Sequence, residues 1–155
     1  MSLIGTDLPS APLAPPEDAP LCAGLRFMVV DDHPFQLGMT VRHLQRLGAD
    51  AVQGFDDGAA AFEAMIDPLQ AADIVILDMS MPGMDGMDVM RKLNGAGHSF
   101  SLIINSALSP NLVESLLEIA RRYKIRLLGA IGKPVSRARL EPLIAAYRAQ
   151  RGAGP

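Results

Sequence analysis

Residues 74–86, IVILDMSMPGMDG, compress a strand, a turn and a helix start into one short segment. Ile74, Val75 and Ile76 are β-branched, and Leu77 extends an unbroken apolar run. Such residues favour extended backbone, and a continuous rather than alternating run predicts a strand covered on both faces. Asp78 ends the run, Pro82-Gly83 makes a turn, and Asp85 opens a short helix reaching Leu93 before Asn94-Gly95. A buried strand that ends in a carboxylate and turns into a helix is the repeating unit of an α/β sheet.

The same unit recurs on both sides. Leu25 to Val30 is a short apolar run, and after Pro34 the residues Leu37, Val41, Leu44 and Leu47 recur at helical spacing until Gly48. Ala51 to Phe55 reads as a second strand and Gly58 to Ile66 as a second helix, closed by Asp67-Pro68. Leu102-Ile103-Ile104 is a fourth strand, and Pro110 opens a helix with Leu112, Leu116, Ile119 and Tyr123 on one stripe. Ile125 to Ile131 is a fifth strand, and Ser136 caps a last helix bearing Leu140, Leu143, Ile144 and Tyr147. Five strands each followed by a helix predict a doubly wound, five-stranded parallel sheet, (βα)5, covered on both faces. Residues 1–23 hold five of the twelve prolines and no apolar periodicity, so they read as a flexible leader. Residues 24–150 would form the domain, and residues 151–155 a tail or the start of a linker.

At 155 residues, 49% of them apolar and 20% charged, the chain suits one ordinary globular domain. The net charge of −3 argues against a nucleic-acid-binding module. No apolar run is long enough to span a membrane and no signal peptide is recognisable, which predicts no membrane association. The lone cysteine, Cys22, has no internal partner, so a cytoplasmic setting is expected. Through residue 90 there are 14 Asp and Glu against 3 Lys and Arg, whereas from residue 91 there are 11 basic residues against 3 Glu. Two solvated faces would explain this asymmetry, as would an acidic site built by the first half and a basic face built by the second.

In sheets of this kind ligands bind beyond the carboxyl ends of the strands. Strand one ends in Asp31-Asp32, strand three in Asp78 and strand four in Ser106, while strand five runs into Lys133-Pro134. Clustered carboxylates repel one another, and a bound Mg²⁺, which prefers hard oxygen ligands, would relieve the conflict. Metal, cation and hydroxyl around one carboxylate suit a phosphoryl group, with the carboxylate as nucleophile. Taken singly, each residue has an ordinary explanation as a turn, cap or solvated group. Their convergence on one sheet edge does not.

These residues resemble the receiver (CheY-like) domain of two-component response regulators. The matching segments are MVVDDHP (28–34), ILDMSMPGMDG (76–86), LIINSAL (102–108) and GKP (132–134). The resemblance implies a flavodoxin-like strand order of 2-1-3-4-5 and Asp78 as phospho-acceptor. It also implies Asp32 as a direct Mg²⁺ ligand, Asp31 acting through water, and the main-chain carbonyl of Ser80 completing the protein's ligands. Ser106 would hydrogen-bond the phosphoryl group, and Lys133, beside a cis bond to Pro134, would pair with it. The implied donor is a sensor histidine kinase or phosphotransfer protein, and the domain catalyses only its own phosphorylation and dephosphorylation. Receivers often carry an aromatic switch residue three positions before the lysine, where this chain has Ala130, so such a switch is not expected.

His33, beside the acidic pair, is read as a loop residue, because Mg²⁺ prefers oxygen. Met79, Met81, Met84 and Met87 are read as core and loop filler. The last third and the DDHPFQ segment (31–36) are similar to receivers fused to EAL-type cyclic-di-GMP phosphodiesterases, so a fused output domain would belong to a longer parent protein. A small apolar face around Leu112, Leu116 and the last helix would allow a homodimer, although core packing explains the same stripe. Two further readings are a haloacid-dehalogenase-like Mg²⁺-dependent phosphatase and a receiver used for docking without phosphorylation. The first needs a second Asp two residues after the nucleophile, where Ser80 stands, and all five site residues argue against the second.

Overall fold

The computed structural model describes residues 20–152. Five strands alternate with five helices: β1 (Arg26–Val30), α1 (Pro34–Arg46), β2 (Ala51–Phe55), α2 (Gly58–Ile66), β3 (Ile74–Leu77), α3 (Gly86–Leu93), β4 (Ser101–Asn105), α4 (Pro110–Arg122), β5 (Arg126–Ile131) and α5 (Arg137–Gly152). The strands form one parallel sheet in the order β2-β1-β3-β4-β5. The doubly wound five-stranded sheet expected from the sequence is therefore the one observed.

Side-chain alternation along each strand divides the core into two layers. Met28, Val30, Val75, Leu77, Leu102 and Ile104 pack with residues of α2, α3 and α4. Phe27, Val29, Ile74, Ile76 and Ile103 point the other way and pack with α1 and α5. All four residues of β3 are buried, as its unbroken apolar run requires. Met81 is buried, while Met79, Met84 and Met87 pack partly buried against the first layer, as the filler reading expects. Among the described residues, no helix is long and apolar enough to cross a membrane.

Local signals set the helix starts. Asp57 caps α2, Asp85 and Asp88 form a reciprocal capping box on α3, and Ser109 caps α4. Ser136 accepts from the Arg139 N–H at 3.3 Å and so opens α5, as expected. The stripe read on α4 needs correction only at its first residue, since Leu116, Ile119 and Tyr123 pack into or against the first layer. Leu116 and Ala120, one turn apart, take the sheet-facing positions, while Leu112 in the first turn is 46% exposed. Leu116 thus belongs to the core and is not open to a second copy of the chain.

The two ends of the domain also differ from the reading. Residues 1–19 of the leader lie outside the described residues, but Leu21 to Ala23 pack onto the domain. Cys22 is fully buried and its N–H donates to the Leu47 carbonyl at 2.8 Å. The Arg148 guanidinium donates to the carbonyls of Leu21 and Ala23 at 3.0 and 2.9 Å, tying this strap to α5. The apolar pair Leu21 and Cys22 drives the docking despite the surrounding prolines. α5 itself extends two residues beyond 150, and residues 153–155 lie outside the described residues.

Gly86, the first residue of α3, is required by a close approach. A Cβ there would lie 2.5 Å from Met79 Sδ and 2.9 Å from the Asp78 carbonyl oxygen. Gly86→Ala should cost about 1–3 kcal/mol, the usual range for overpacking, read as a lower urea midpoint at unchanged slope. An unchanged midpoint would mean that the segment after β3 yields freely.

Candidate functional site

In the order β2-β1-β3 the chain winds one way from β1 to β2 and the other way into β3, which opens a crevice past the ends of β1 and β3. Val30 pairs with Leu77, so the residues just beyond, Asp31 and Asp78, meet across that crevice. Both are buried, Asp78 to 3% exposure, whereas Asp32 is half-buried. One carboxylate oxygen from each of Asp31, Asp32 and Asp78 lies within 4.8 Å of the others.

Lys133 enters from the loop after β5, next to the cis bond to Pro134. Its ammonium lies 3.1 Å from Asp78 Oδ2, 3.1 Å from Asp31 Oδ2 and 2.9 Å from Gln36 Oε1. The ammonium thus donates hydrogen bonds to Asp78 and Gln36 and pairs by charge with Asp31, whose Oδ2 is buried without a hydrogen-bond partner. Burial alone would lower the Lys133 pKa, but the hydrogen bond to Asp78 and the charges of Asp31 and Asp78 outweigh it and hold the pKa above its ordinary value. The ammonium is therefore charged throughout the neutral range.

Asp78 Oδ1 accepts from the Ser106 hydroxyl at 3.4 Å and from the Ser80 N–H at 3.1 Å. Ser106 Oγ in turn accepts from the Met79 N–H at 3.3 Å. Because Ser109 rather than Ser106 caps α4, the Ser106 hydroxyl faces the carboxylate. His33 is exposed and sits at the N-cap of α1, with Nδ1 accepting from the Gln36 N–H at 3.4 Å. Its own N–H donates to Asp31 Oδ1 at 2.9 Å, so His33 orients a carboxylate through its backbone.

The five side chains read from the sequence as the site, Asp31, Asp32, Asp78, Ser106 and Lys133, thus converge on one edge of the sheet. Gln36 was missed. It bears no charge and its neighbours follow the apolar spacing of α1, so only its place one turn into the helix after Asp31-Asp32 hints at its contact with Lys133.

The donor set fits a hard divalent cation. Three carboxylates face one ammonium, and Asp32 has no ion pair or hydrogen bond among the described residues. Oxygen ligands of this kind suit Mg²⁺ rather than a softer metal.

Residues 27–145 match the response regulator receiver domain, and the chain belongs to that family. Among curated proteins it is similar to the cyclic di-GMP phosphodiesterase RocR of Pseudomonas aeruginosa, with 31% identity over 127 residues, 82% of this chain and 32% of RocR. The chain thus spans about a third of that relative's length. Two solved structures share the fold. The receiver domain of the histidine kinase CKI1 from Arabidopsis thaliana, complexed with Mg²⁺ and BeF3⁻, has a TM-score of 0.69 at 20% identity, over 85% of this chain and 95% of that one. A chain of the CheX-CheY-BeF3-Mg²⁺ complex of Borrelia burgdorferi has a TM-score of 0.68 at 24% identity, over 81% and 90%. Family membership removes the support for a haloacid-dehalogenase reading, and the fully assembled site does not favour docking without phosphorylation.

The raised Lys133 pKa gives a signed pH dependence. Its contribution to stability is complete below about pH 10.4, the ordinary lysine value, and declines as pH rises through the higher folded value. Lys133→Met should lower stability at pH 7 by less than the roughly 3–5 kcal/mol of a fully buried pair, because the ammonium side chain is 28% exposed. The gap between variant and wild type in urea unfolding should close at strongly alkaline pH. A gap that widens there would contradict the pairing.

Proposed function

We propose that this receiver is switched by phosphoryl transfer from a phosphohistidine, on a sensor histidine kinase or phosphotransfer protein, to Asp78. The setting of Asp78 carries the reading: a buried carboxylate with a cation on one oxygen, donors on the other and two further carboxylates beside it. An Asp78 oxygen attacks phosphorus in line, the phosphorus–nitrogen bond breaks, and an acyl phosphate forms. The imidazole leaves as a neutral ring, with its proton on the other nitrogen. Lys133 stays charged and pairs with the phosphoryl oxygens, and the Ser106 O–H exchanges the carboxylate for one of them. Asp31, Asp32, Asp78 and the main-chain carbonyl of Ser80 would hold Mg²⁺, which when bound supplies positive charge against the phosphoryl oxygens.

RocR supports a longer parent protein in which this receiver controls a cyclic-di-GMP phosphodiesterase, because the chain matches about a third of a protein with that activity. The receiver would work in the cytoplasm, where its kinase and a reduced Cys22 belong. Any homodimer would use the exposed Leu112 rather than the buried Leu116.

Acetyl phosphate with Mg²⁺ should add one phosphoryl mass to the protein, and Asp78→Asn should abolish it. Mass addition that persists in Asp78→Asn overturns the assignment. By calorimetry, Asp32→Ala should lose more Mg²⁺ affinity than Asp31→Ala, since a direct ligand counts for more than a water-mediated one. Equal losses would mean that the two roles are misassigned.

Ser106→Ala should leave Asp78 phosphorylatable while weakening the amide-shift response from Ala107 through Tyr123. The lost bias is about 0.5–1.5 kcal/mol for a neutral hydrogen bond and up to roughly 3 kcal/mol to a charged group. A full response in Ser106→Ala to a stable phosphoryl mimic would rule out this route.

A further inference from the structure

Beside the carboxylate cluster, between α1 and the loop from β5 to α5, lies a cavity of about 580 Å³. This falls within the range of roughly 300–1,000 Å³ typical of small-ligand sites. Its lining contains no carboxylate, although the first half of the chain is strongly acidic. That half has only three basic residues, and two of them, Arg42 and Arg46, line this cavity one turn apart on α1. Neither forms an ion pair among the described residues.

Asn105 supplies an independent sign. It ends β4, is 2% exposed and is one of the residues lining the cavity, and its buried side-chain Oδ1 has no hydrogen-bond partner. The phosphoryl site described above does not use it. Leu102, Ile103 and Ile104 before it are all apolar, so an amide at this buried position goes against its surroundings. His43, also in the lining, has a buried Nε2 without a partner. Burial and the nearby Arg46 lower its pKa and favour the neutral ring.

The stripe Phe35, Met39, Arg42 and Arg46 follows helical spacing along this wall. Phe35 and Met39 expose apolar surface, and Arg42 stands about 10 Å farther along the axis than Phe35. An apolar end, a cationic end and a buried amide together call for a ligand with an apolar planar body, an anionic group and a hydrogen-bonding edge. We propose that this cavity binds a small organic anion with the chemistry of a nucleoside monophosphate. The phosphate would engage the forks of Arg42 and Arg46, which suit bidentate contact. The ring edge would pair with the Asn105 amide, which offers both a donor and an acceptor. The ring face would lie on Phe35 and Met39.

The test is an NMR titration of the full chain with AMP, adenosine and inorganic phosphate, with EDTA present so that no divalent metal draws phosphate to the carboxylate cluster. AMP should give saturable shifts in the Thr40–His43 amides and the Asn105 side-chain amide. Adenosine and phosphate should each bind at least tenfold more weakly than AMP. Asn105→Leu should weaken AMP binding at least tenfold while raising the melting temperature, because an unpaired buried acceptor is removed. A purely structural asparagine would instead lower it. Arg42→Ala with Arg46→Ala should weaken binding to a similar degree, with acetyl phosphate labelling of Asp78 unchanged. The proposal is overturned if AMP gives no saturable shift, as expected were this face to receive only an acidic protein segment. It is also overturned if phosphate alone binds as well as AMP, or if shifts are confined to the Asp31, Asp32 and Asp78 loops. Unchanged affinity in both sets of variants would overturn it too.

Discussion

One ammonium holds two buried carboxylates together at the edge of the sheet. Parallel pairing of β1 and β3 brings Asp31 and Asp78 to neighbouring positions, where neither can retreat into solvent. Their repulsion in so dry a place would oppose the pairing of the strands that deliver them. Lys133 answers from the far side of β4, so the compensation exists only once β5 has joined the sheet. Gln36 adds a neutral acceptor beside Asp78 and fixes the direction of the lysine without adding charge. The chemistry of the edge and the completion of the fold are therefore coupled through one side chain.

That coupling leaves charge in surplus. Asp31 and Asp78 share Lys133, while Asp32 remains unpaired among the described residues and more open. A site with this imbalance suits a divalent cation. Ala130 sits partly buried against the layer formed by α2, α3 and α4, and Gly129 just before it takes a positive φ where β4 and β5 slip register. Position 130 carries no ring, while the Ser106 hydroxyl touches Asp78 directly.

Most of the fold could be read from the sequence because its strands are short, apolar and punctuated. The bounds of β2, α2 and β3 follow from clear stops such as Asp67-Pro68 and Asp78. The site was equally legible, since strand-end residues in a parallel sheet must share one edge. What escaped depends on tertiary partners. Leu112 looks equivalent to Leu116 by spacing, and only the position of the sheet separates them. Gln36 becomes important through a residue 97 positions away, which no local pattern reveals. Leu21 and Cys22 are two apolar residues among prolines, too few to register as an element, yet Leu47 and Arg148 hold that stretch in place.

The strap at Cys22 makes part of the molecule chemically quiet. Burial pushes the thiol up to about 11, so at neutral pH it is neither ionised nor reachable. Reagents that modify thiols can act on it only when the strap lifts from Leu47 and Arg148. The rate of that modification therefore measures how often the strap opens. Because Arg148 lies on α5, a rearrangement of the last helix that breaks these bonds would register there as a faster clock on a single sulfur atom.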